Sequence, residues 1–323
     1  MVRQLLFFAL VVFLFACQDS KSTDNTEQKN DALFSTEGVL TNINERVYND
    51  DESVRTYSEF SWKENGSSRI LEGNGIPNHE VGTFPNSGNP NSIRAQNVSE
   101  NFTLYPSIES EDGVAVGGPA GAIAYAINSV KFDPATAGRC DDSGRCSLAQ
   151  GQGRWNIEAL GHNTFDFGDD MNHAHVQPNG AYHYHGIPEL LVEFLGNKQG
   201  MTIVGWASDG FPVYARYGFS DPDDPNSSVK SLKPSYRLKT EPDKNRPMVL
   251  TTLIGGPSQG TTNPNSEIPM GAFTQDYEYV DGLGDLDRCN GRYGVTPEFP
   301  DGIYYYVVTD DFPFFTRCLK GDV

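Results

Sequence analysis

One short stretch constrains the fold of this chain more than any other: two His-x-His triplets with a turn signal between them. The triplets occupy residues 173–175 and 183–185, and Pro-Asn-Gly stands at 178–180. These three residues suit a type I turn followed by a left-handed glycine, which together form a three-residue hairpin loop. That loop length predicts an antiparallel hairpin in which Gln177 pairs with Ala181.

The predicted register places the histidines on one face of the hairpin. His175 is then opposite His183, and His173 is opposite His185, because alternate residues of a strand point to the same side. Opposite Cβ atoms lie about 5 Å apart, so ring nitrogens can share a cation at roughly 2.0–2.1 Å. We therefore predict a metal site on these four histidines, for zinc or copper rather than calcium.

The histidine hairpin has alternatives that the sequence leaves open. A two-residue turn would divide the histidines between the two faces. Histidines beside tyrosines can also be buried groups that only form hydrogen bonds. In the predicted register Ala174, Tyr182 and Tyr184 occupy the other face, toward the core. An acidic residue of the segment 166–170 can add a carboxylate ligand.

The remainder of the sequence predicts a β protein. Short runs rich in β-branched and aromatic residues, such as 122–132, 201–207 and 303–309, recur between Gly, Pro, Asn and Asp. One helix is predicted at 187–195, where apolar residues recur at helical spacing and Gly196 provides a stop. We expect a mainly β fold, an antiparallel sandwich or packed sheets, with one short helix.

The first residues are typical of an export signal. Arg3 precedes an apolar run at 5–15, and Ala16 precedes Cys17, so residues 1–16 are predicted to be a signal peptide. Residues 14–17 resemble the lipobox of bacterial lipoproteins. The resemblance implies cleavage before Cys17, acyl chains such as palmitate on that residue, and anchoring to a membrane. An ordinary secretory signal with an incidental cysteine is the alternative.

Composition divides the remaining chain into two parts. Residues 17–33 are polar and read as a flexible tether, and 34–323 are predicted to be a single domain. The net charge of -19 argues against nucleic acid as a partner and is compatible with cations. We expect an exported protein that is attached to the cell membrane by lipid, at the outer membrane facing the periplasm or at the cell surface.

The five cysteines fit this assignment. Setting Cys17 aside leaves four, which allow three pairings. Cys140 and Cys146 flank a turn-like loop and are predicted to pair with each other, so that Cys289 pairs with Cys318. Export favours disulfides over the alternative of a thiolate metal site.

Several motifs resemble those of the YHYH domain family of bacterial exported proteins. The tetrad lies in Ala-Tyr-His-Tyr-His-Gly-Ile-Pro at 181–188 and is preceded by His-Val-Gln-Pro-Asn-Gly at 175–180. Further similar motifs are Val-Gly-Trp-Ala-Ser-Asp-Gly-Phe-Pro-Val-Tyr at 204–214, Cys-Asn-Gly-Arg at 289–292 and Arg-Cys-Leu-Lys-Gly at 317–321. The resemblance runs from about residue 75 to the end. It implies one exported domain and leaves the activity open.

Three classes of function are compatible with these observations. The first is a metal-binding module for zinc or copper at the cell surface. The second is a metal-dependent hydrolase or an oxidative enzyme, in which Asp209 is a candidate acid or base, although Asp-Gly is also an ordinary turn pair. The third is a glycan- or surface-binding module, for which a strand at 304–306 predicts at least one exposed tyrosine ring on each face.

Overall fold

A computed structural model describes residues 42–115, 122–149, 151–196, 198–254 and 265–323 of the chain. The predicted signal peptide, Cys17 and the predicted tether lie outside these residues. Among the residues described, no helix combines the length and the apolar character that crossing a membrane requires.

Short strands dominate the part of the chain that the structure describes, which confirms the predicted mainly β class. Helix is limited there to the α-helix α1 (Glu189–Phe194) and a 3-10 turn (Thr274–Asp276). The strands are, in chain order, β1 (Ile43–Asn49), β2 (Thr56–Asn65), β3 (Ser68–Gly73), β4 (Val98–Thr103), β5 (Val114–Ala115), β6 (Ala124–Ala126), β7 (Lys131–Phe132), β8 (Arg139–Cys140), β9 (Arg145–Ser147), β10 (Trp155–Asn156), β11 (Ala174–Val176), β12 (Tyr182–Tyr184), β13 (Thr202–Ala207), β14 (Pro212–Ala215), β15 (Tyr217–Phe219), β16 (Val229–Ser231), β17 (Tyr236–Leu238), β18 (Thr252–Ile254), β19 (Tyr277–Tyr279), β20 (Gly291–Gly294), β21 (Ile303–Val308) and β22 (Cys318–Leu319).

Two large sheets organise the fold. Strands β1 to β4 form an antiparallel sheet in sequence order. The second sheet has eight strands in the order β11-β12-β7-β6-β13-β14-β21-β20, and its pairs β12–β7 and β14–β21 are parallel. The histidine hairpin is therefore one edge of the larger sheet. Its strand β12 is held against β7, and β11 is the outermost strand.

The two sheets share one hydrophobic core. Trp62 of β2 is fully buried, and its indole Nε1 donates a hydrogen bond of 2.7 Å to the carbonyl oxygen of Ile127. Phe102 of β4 packs against both Trp62 and Tyr125 of the larger sheet, with ring centroids 5.6 and 6.4 Å apart. These contacts give the packed-sheet arrangement that the sequence predicts.

A smaller four-stranded sheet, in the order β10-β8-β9-β18, covers a second apolar cluster around Trp155 and Phe273. Both predicted disulfides are present. Cys140 is bonded to Cys146 across the β8–β9 pair, and Cys289 is bonded to Cys318, which ties the C-terminal segment to the start of β20.

The helix forms where it is predicted, in shortened form. It ends before Gly196, whose φ of +83° is the left-handed stop expected of glycine. The amide of Leu190 donates to the Asn172 side-chain oxygen at 3.0 Å, so the hairpin segment satisfies one of the free amides of the first turn. Phe194, one of the apolar residues that recur at helical spacing in this segment, is 39% exposed and does not join the core.

Two other expectations are wrong. The predicted strand at 122–132 is a hairpin of β6 and β7, because Ser129 takes a left-handed φ of +66° and reverses the chain. The tyrosines at 304–306 do lie on a strand, but their rings are buried on both faces. The reason is that aromatic rings cover both faces of β21: Phe211 packs against Tyr304 and Tyr306, and Tyr214 packs against Tyr305.

Candidate metal centre

The histidine hairpin has the predicted register. His175 is paired with His183, and Ala174 is paired with Tyr184. The Gln177 amide donates to the Ala181 carbonyl oxygen at 2.9 Å, and the Gly180 amide donates to the Gln177 carbonyl oxygen at 2.8 Å. Gly180 has a φ of +90°, so the three-residue loop with a left-handed glycine is confirmed.

Three imidazoles of this hairpin meet at one point. The Nε2 atom of His185 lies 3.1 Å from Nε2 of His175 and 3.0 Å from Nε2 of His183. One ring nitrogen from each of the three residues lies within 4.8 Å of the other two. All three side chains are buried, with residue exposures of 9% for His175, 1% for His183 and 2% for His185.

The opposite nitrogen of each ring faces a group that can only accept a hydrogen bond. His183 Nδ1 lies 3.3 Å from the Ala181 carbonyl oxygen, and His185 Nδ1 lies 3.3 Å from the Pro134 carbonyl oxygen. We therefore assign the proton of each neutral ring to Nδ1. Both Nε2 atoms then carry lone pairs that face each other with no proton between them.

His175 follows the same rule through a carboxylate. Its Nδ1 lies 2.6 Å from Oδ1 of Asp169, although the approach departs from the direction of a well-aligned hydrogen bond. A carboxylate beside Nδ1 places the ring proton there as well and leaves Nε2 of His175 as a lone pair. A carboxylate behind a ligating histidine also fixes the ring and raises its basicity.

Burial keeps the rings of His183 and His185 neutral. It holds the pKa of His183 well below its ordinary value, with further lowering from the adjacent imidazoles and from Lys131. Burial and the neighbouring His175 lower the pKa of His185 to about 3. Burial opposes ionisation of Asp169, but the combined effect of His175, His185 and His173 outweighs burial and lowers the pKa of this carboxyl. The centre thus combines the neutral rings of His183 and His185 with the anionic carboxylate of Asp169.

The spacing fits a small transition-metal ion. Tetrahedral coordination at metal–nitrogen distances of 2.0–2.1 Å puts neighbouring nitrogens roughly 3.3–3.4 Å apart. The Nε2 atom of His185 is slightly closer than this to its two neighbours, at 3.0 and 3.1 Å, and all three nitrogens lie within 4.8 Å of one another, so the rings would have to shift to surround the ion evenly. Three protein nitrogens also leave one position of a tetrahedron for another ligand.

His173 does not join this group. Its backbone still pairs, because its carbonyl oxygen accepts a 2.8 Å hydrogen bond from the His185 amide. Its φ of +52° is left-handed, which breaks the alternation of side chains along the strand. The ring Nδ1 instead lies 2.9 Å from the Ile187 carbonyl oxygen. The structure therefore brings together three of the four predicted histidines.

The other two histidines of the chain are also held elsewhere. His162 Nε2 lies 2.7 Å from the Glu158 carbonyl oxygen. His79 Nδ1 lies 2.8 Å from the Glu80 carbonyl oxygen, so Nε2 of this ring is the acceptor for the Tyr184 hydroxyl at 2.7 Å. No role was predicted for His79, because it lies far from the tetrad along the chain and nothing in the sequence indicates its contact with Tyr184.

The tyrosines of the tetrad occupy the core face, as predicted, and their hydroxyls are paired. Tyr182 donates to Oδ2 of Asp170 at 2.7 Å. Tyr184 donates to His79 and accepts from the Asn128 side-chain amide at 3.0 Å. Both residues are buried, at 1% and 0% exposure. The face opposite the histidines is thus a satisfied hydrogen-bond network.

Asp209 lies in a different environment. Its Oδ2 accepts hydrogen bonds from the Tyr306 hydroxyl at 2.5 Å and from the Gly321 amide at 3.0 Å. Burial raises the pKa of this carboxyl. These partners fix the C-terminal segment against β21, which is a structural task.

The chain belongs to the YHYH protein family, whose family model matches residues 101–321, about two thirds of the sequence. The match contains the tetrad, the loop before it and the C-terminal motifs. No curated protein and no solved structure matches the chain.

Proposed function

We propose that this protein is an exported, lipid-anchored metal-binding protein that holds zinc or copper through His175, His183 and His185. One observation carries the proposal: three buried imidazoles direct their Nε2 atoms at a common centre. Without a cation the lone pairs of these atoms repel one another in a buried site, where water cannot compensate. A metal ion turns that repulsion into three bonds.

The donor set favours zinc or copper. Imidazole nitrogen is a ligand of intermediate softness that suits both ions, whereas calcium and magnesium take oxygen ligands. The placement of Asp169 behind His175 is the usual second layer of such a centre. The low exposure of His183 and His185 favours tight retention over rapid exchange.

Metal analysis tests the proposal. The purified full chain, offered zinc or copper and then desalted, is expected to retain about one equivalent of one of them. The double variant His183→Gln/His185→Gln should retain almost none. His173→Asn is the matched control, because asparagine tolerates the left-handed backbone and His173 is outside the group. Retention below roughly a tenth of an equivalent by the unaltered chain would refute the metal site.

The membrane anchor rests on the sequence of residues 1–17. In bacteria fed with labelled palmitate, the chain is expected to carry label and to fractionate with membranes. Cys17→Ser should lose both the label and the membrane association. Cys140→Ser should keep the label, because the lipid attaches only to the cysteine that directly follows the cleavage site. Labelled Cys17→Ser protein would contradict this assignment.

The open fourth coordination position supports a second candidate, a metal-assisted hydrolase or oxidative enzyme. Catalytic zinc sites keep three protein ligands and one exchangeable position. The rim formed by His175 and Asp169, with side-chain exposures of 11% and 16%, is the part of the centre that solvent reaches. Turnover of an ester or of a reducing substrate that depends on added metal and is lost in His183→Gln would support this role. Equal turnover by that variant would exclude it.

A further inference from the structure

A second concave site lies at the opposite edge of the large sheet from the histidine hairpin. It is a cleft of about 390 Å³ between the segment 279–293, the strand β21 and the C-terminal segment. None of the three converging histidines lines it. Its volume falls within the range of small-ligand pockets.

The wall of the cleft carries an exposed aromatic ring that is held in place. Tyr293 is 58% exposed, although it belongs to the regular strand β20. Its ring rests on the backbone of Gly302, where an added Cβ would come within 2.9 Å of the ring carbon Cε1. The glycine therefore supports the ring from one side and leaves much of it open to solvent.

Hydrogen-bonding groups surround this ring. Asp281 Oδ1 accepts from the Tyr279 hydroxyl at 2.9 Å. Deeper in the cleft, Asp287 accepts from the Tyr304 hydroxyl at 3.1 Å and lies 3.0 Å from the ammonium of Lys320. Lys320 is only 5% exposed, so the cleft contains a buried cation beside its carboxylate.

The charge of the cleft narrows the class of ligand. Four carboxylates line it, those of Glu111, Asp281, Asp285 and Asp287, against the two cations Arg292 and Lys320. This excess disfavours anionic ligands.

The bonds already made within the cleft disfavour both kinds of charged ligand. Arg292 is not free to bind an anion, since it donates to the Tyr305 hydroxyl at 2.7 Å and to the Phe219 carbonyl oxygen at 2.6 Å. Asp285 is paired with Lys230 at 2.6 Å and Asp287 with Lys320 at 3.0 Å, so an incoming amine gains little from these carboxylates.

We propose that this cleft binds a neutral saccharide. A sugar ring presents an apolar face of C–H groups, which matches the open ring of Tyr293. Its hydroxyls both donate and accept, which matches carboxylates, phenols and one ammonium in the same cleft. The exposed tyrosine required by a glycan-binding role is thus Tyr293, whereas Tyr304, Tyr305 and Tyr306 are buried.

Calorimetric titration of the full chain tests the proposal with defined probes. Cellohexaose, maltohexaose and chitohexaose are the neutral saccharides, and polygalacturonate and spermine are the anionic and cationic comparisons. We expect one or more of the neutral probes to bind with a Kd of roughly micromolar to millimolar. Tyr293→Ala should weaken that binding about tenfold through loss of the stacked ring.

Three variants control the test. Tyr293→Phe keeps the ring and should bind within about twofold of the unaltered chain. Tyr48→Ala removes a ring that is 51% exposed on β1, outside the cleft, and should change nothing. His183→Gln/His185→Gln should also bind normally, since the histidine centre is separate.

The proposal is overturned if all three neutral probes fail to bind, or if polygalacturonate or spermine binds more tightly than every one of them. It is also overturned if Tyr293→Ala binds as well as the unaltered chain.

Discussion

The two faces of the segment at strand β12 differ in whether their buried polar groups have hydrogen-bond partners. On the core face, the hydroxyls of Tyr182 and Tyr184 have partners, and Tyr184 both donates and accepts. On the other face, the Nε2 atoms of His183 and His185 lie 3.0 Å apart with no proton to share. Fully paired buried groups are what a fold requires, whereas convergent unpaired acceptors destabilise it and indicate a ligand. The tetrad therefore joins a structural face to the face that we propose binds the metal.

The largest effect in this comparison is expected from Tyr184→Phe. Removal of the hydroxyl leaves His79 and the Asn128 amide without their buried partner, which should lower the free energy of unfolding by about 1–3 kcal/mol. Urea unfolding of the metal-free chain measures it. His185→Gln is the matched change on the other face and should be close to neutral in the metal-free state, because it removes a repelling acceptor. If His185→Gln costs as much as Tyr184→Phe, the two faces do not differ as described.

A smaller change is expected from Asp169→Asn, which leaves both faces of the hairpin intact. The amide keeps the shape of the side chain and removes the charge beside Nδ1 of His175. Metal affinity should fall about tenfold, the lower end of the effect of second-layer partners. Competition with a chromogenic chelator measures the affinity. Asp166→Asn is the control, because its carboxylate accepts from the Gly168 amide and has no contact with a ligating histidine. Equal loss in both variants would argue against a role for Asp169.

The third test is the pH dependence of the free energy of unfolding of the metal-free chain. The folded pKa of His185 is about 3, whereas the same histidine in the unfolded chain titrates near about 6.5. Below about pH 6.5 His185 therefore binds a proton in the unfolded state but not in the folded state. The free energy of unfolding should fall toward about pH 5 by up to about 1.4 kcal/mol per pH unit from this residue.

The contribution of His185 is isolated by comparison with His185→Gln, which keeps all other titrating groups. Urea unfolding at several pH values should give a shallower slope for the variant. Parallel slopes for the two proteins would mean that His185 is not held neutral by the fold.

Local features of the site could be predicted from sequence because they depend on near neighbours. The register of His175 with His183 followed from the length of one loop and the glycine in it. The disulfide of Cys140 with Cys146 followed from a short turn. The position of the His173 side chain could not be predicted in this way, because its left-handed φ breaks the alternation of side chains that the strand pattern assumes.

Features that depend on the order of strands could not be predicted. The burial of Tyr304 to Tyr306 results from the pairing of β21 with β14, a strand distant in sequence, which brings Phe211 and Tyr214 against these rings. The contacts of His79 with Tyr184, and of Asp169 with His175, likewise depend on where separate loops meet the hairpin. Residue spacing along the chain contains no signal for such meetings.

The compactness of the histidine hairpin has a consequence for how the domain forms. Its three converging nitrogens come from eleven consecutive residues, His175 to His185. Under the proposed function, a chain emerging from export can therefore capture an ion before its distant strands pair, since closing a short loop is fast and costs little entropy. The bound ion would then stabilise the histidine hairpin, so that this edge of the eight-stranded sheet forms early. Because the unfolded chain can also hold the ion, metal should raise the equilibrium stability by less than its affinity alone implies.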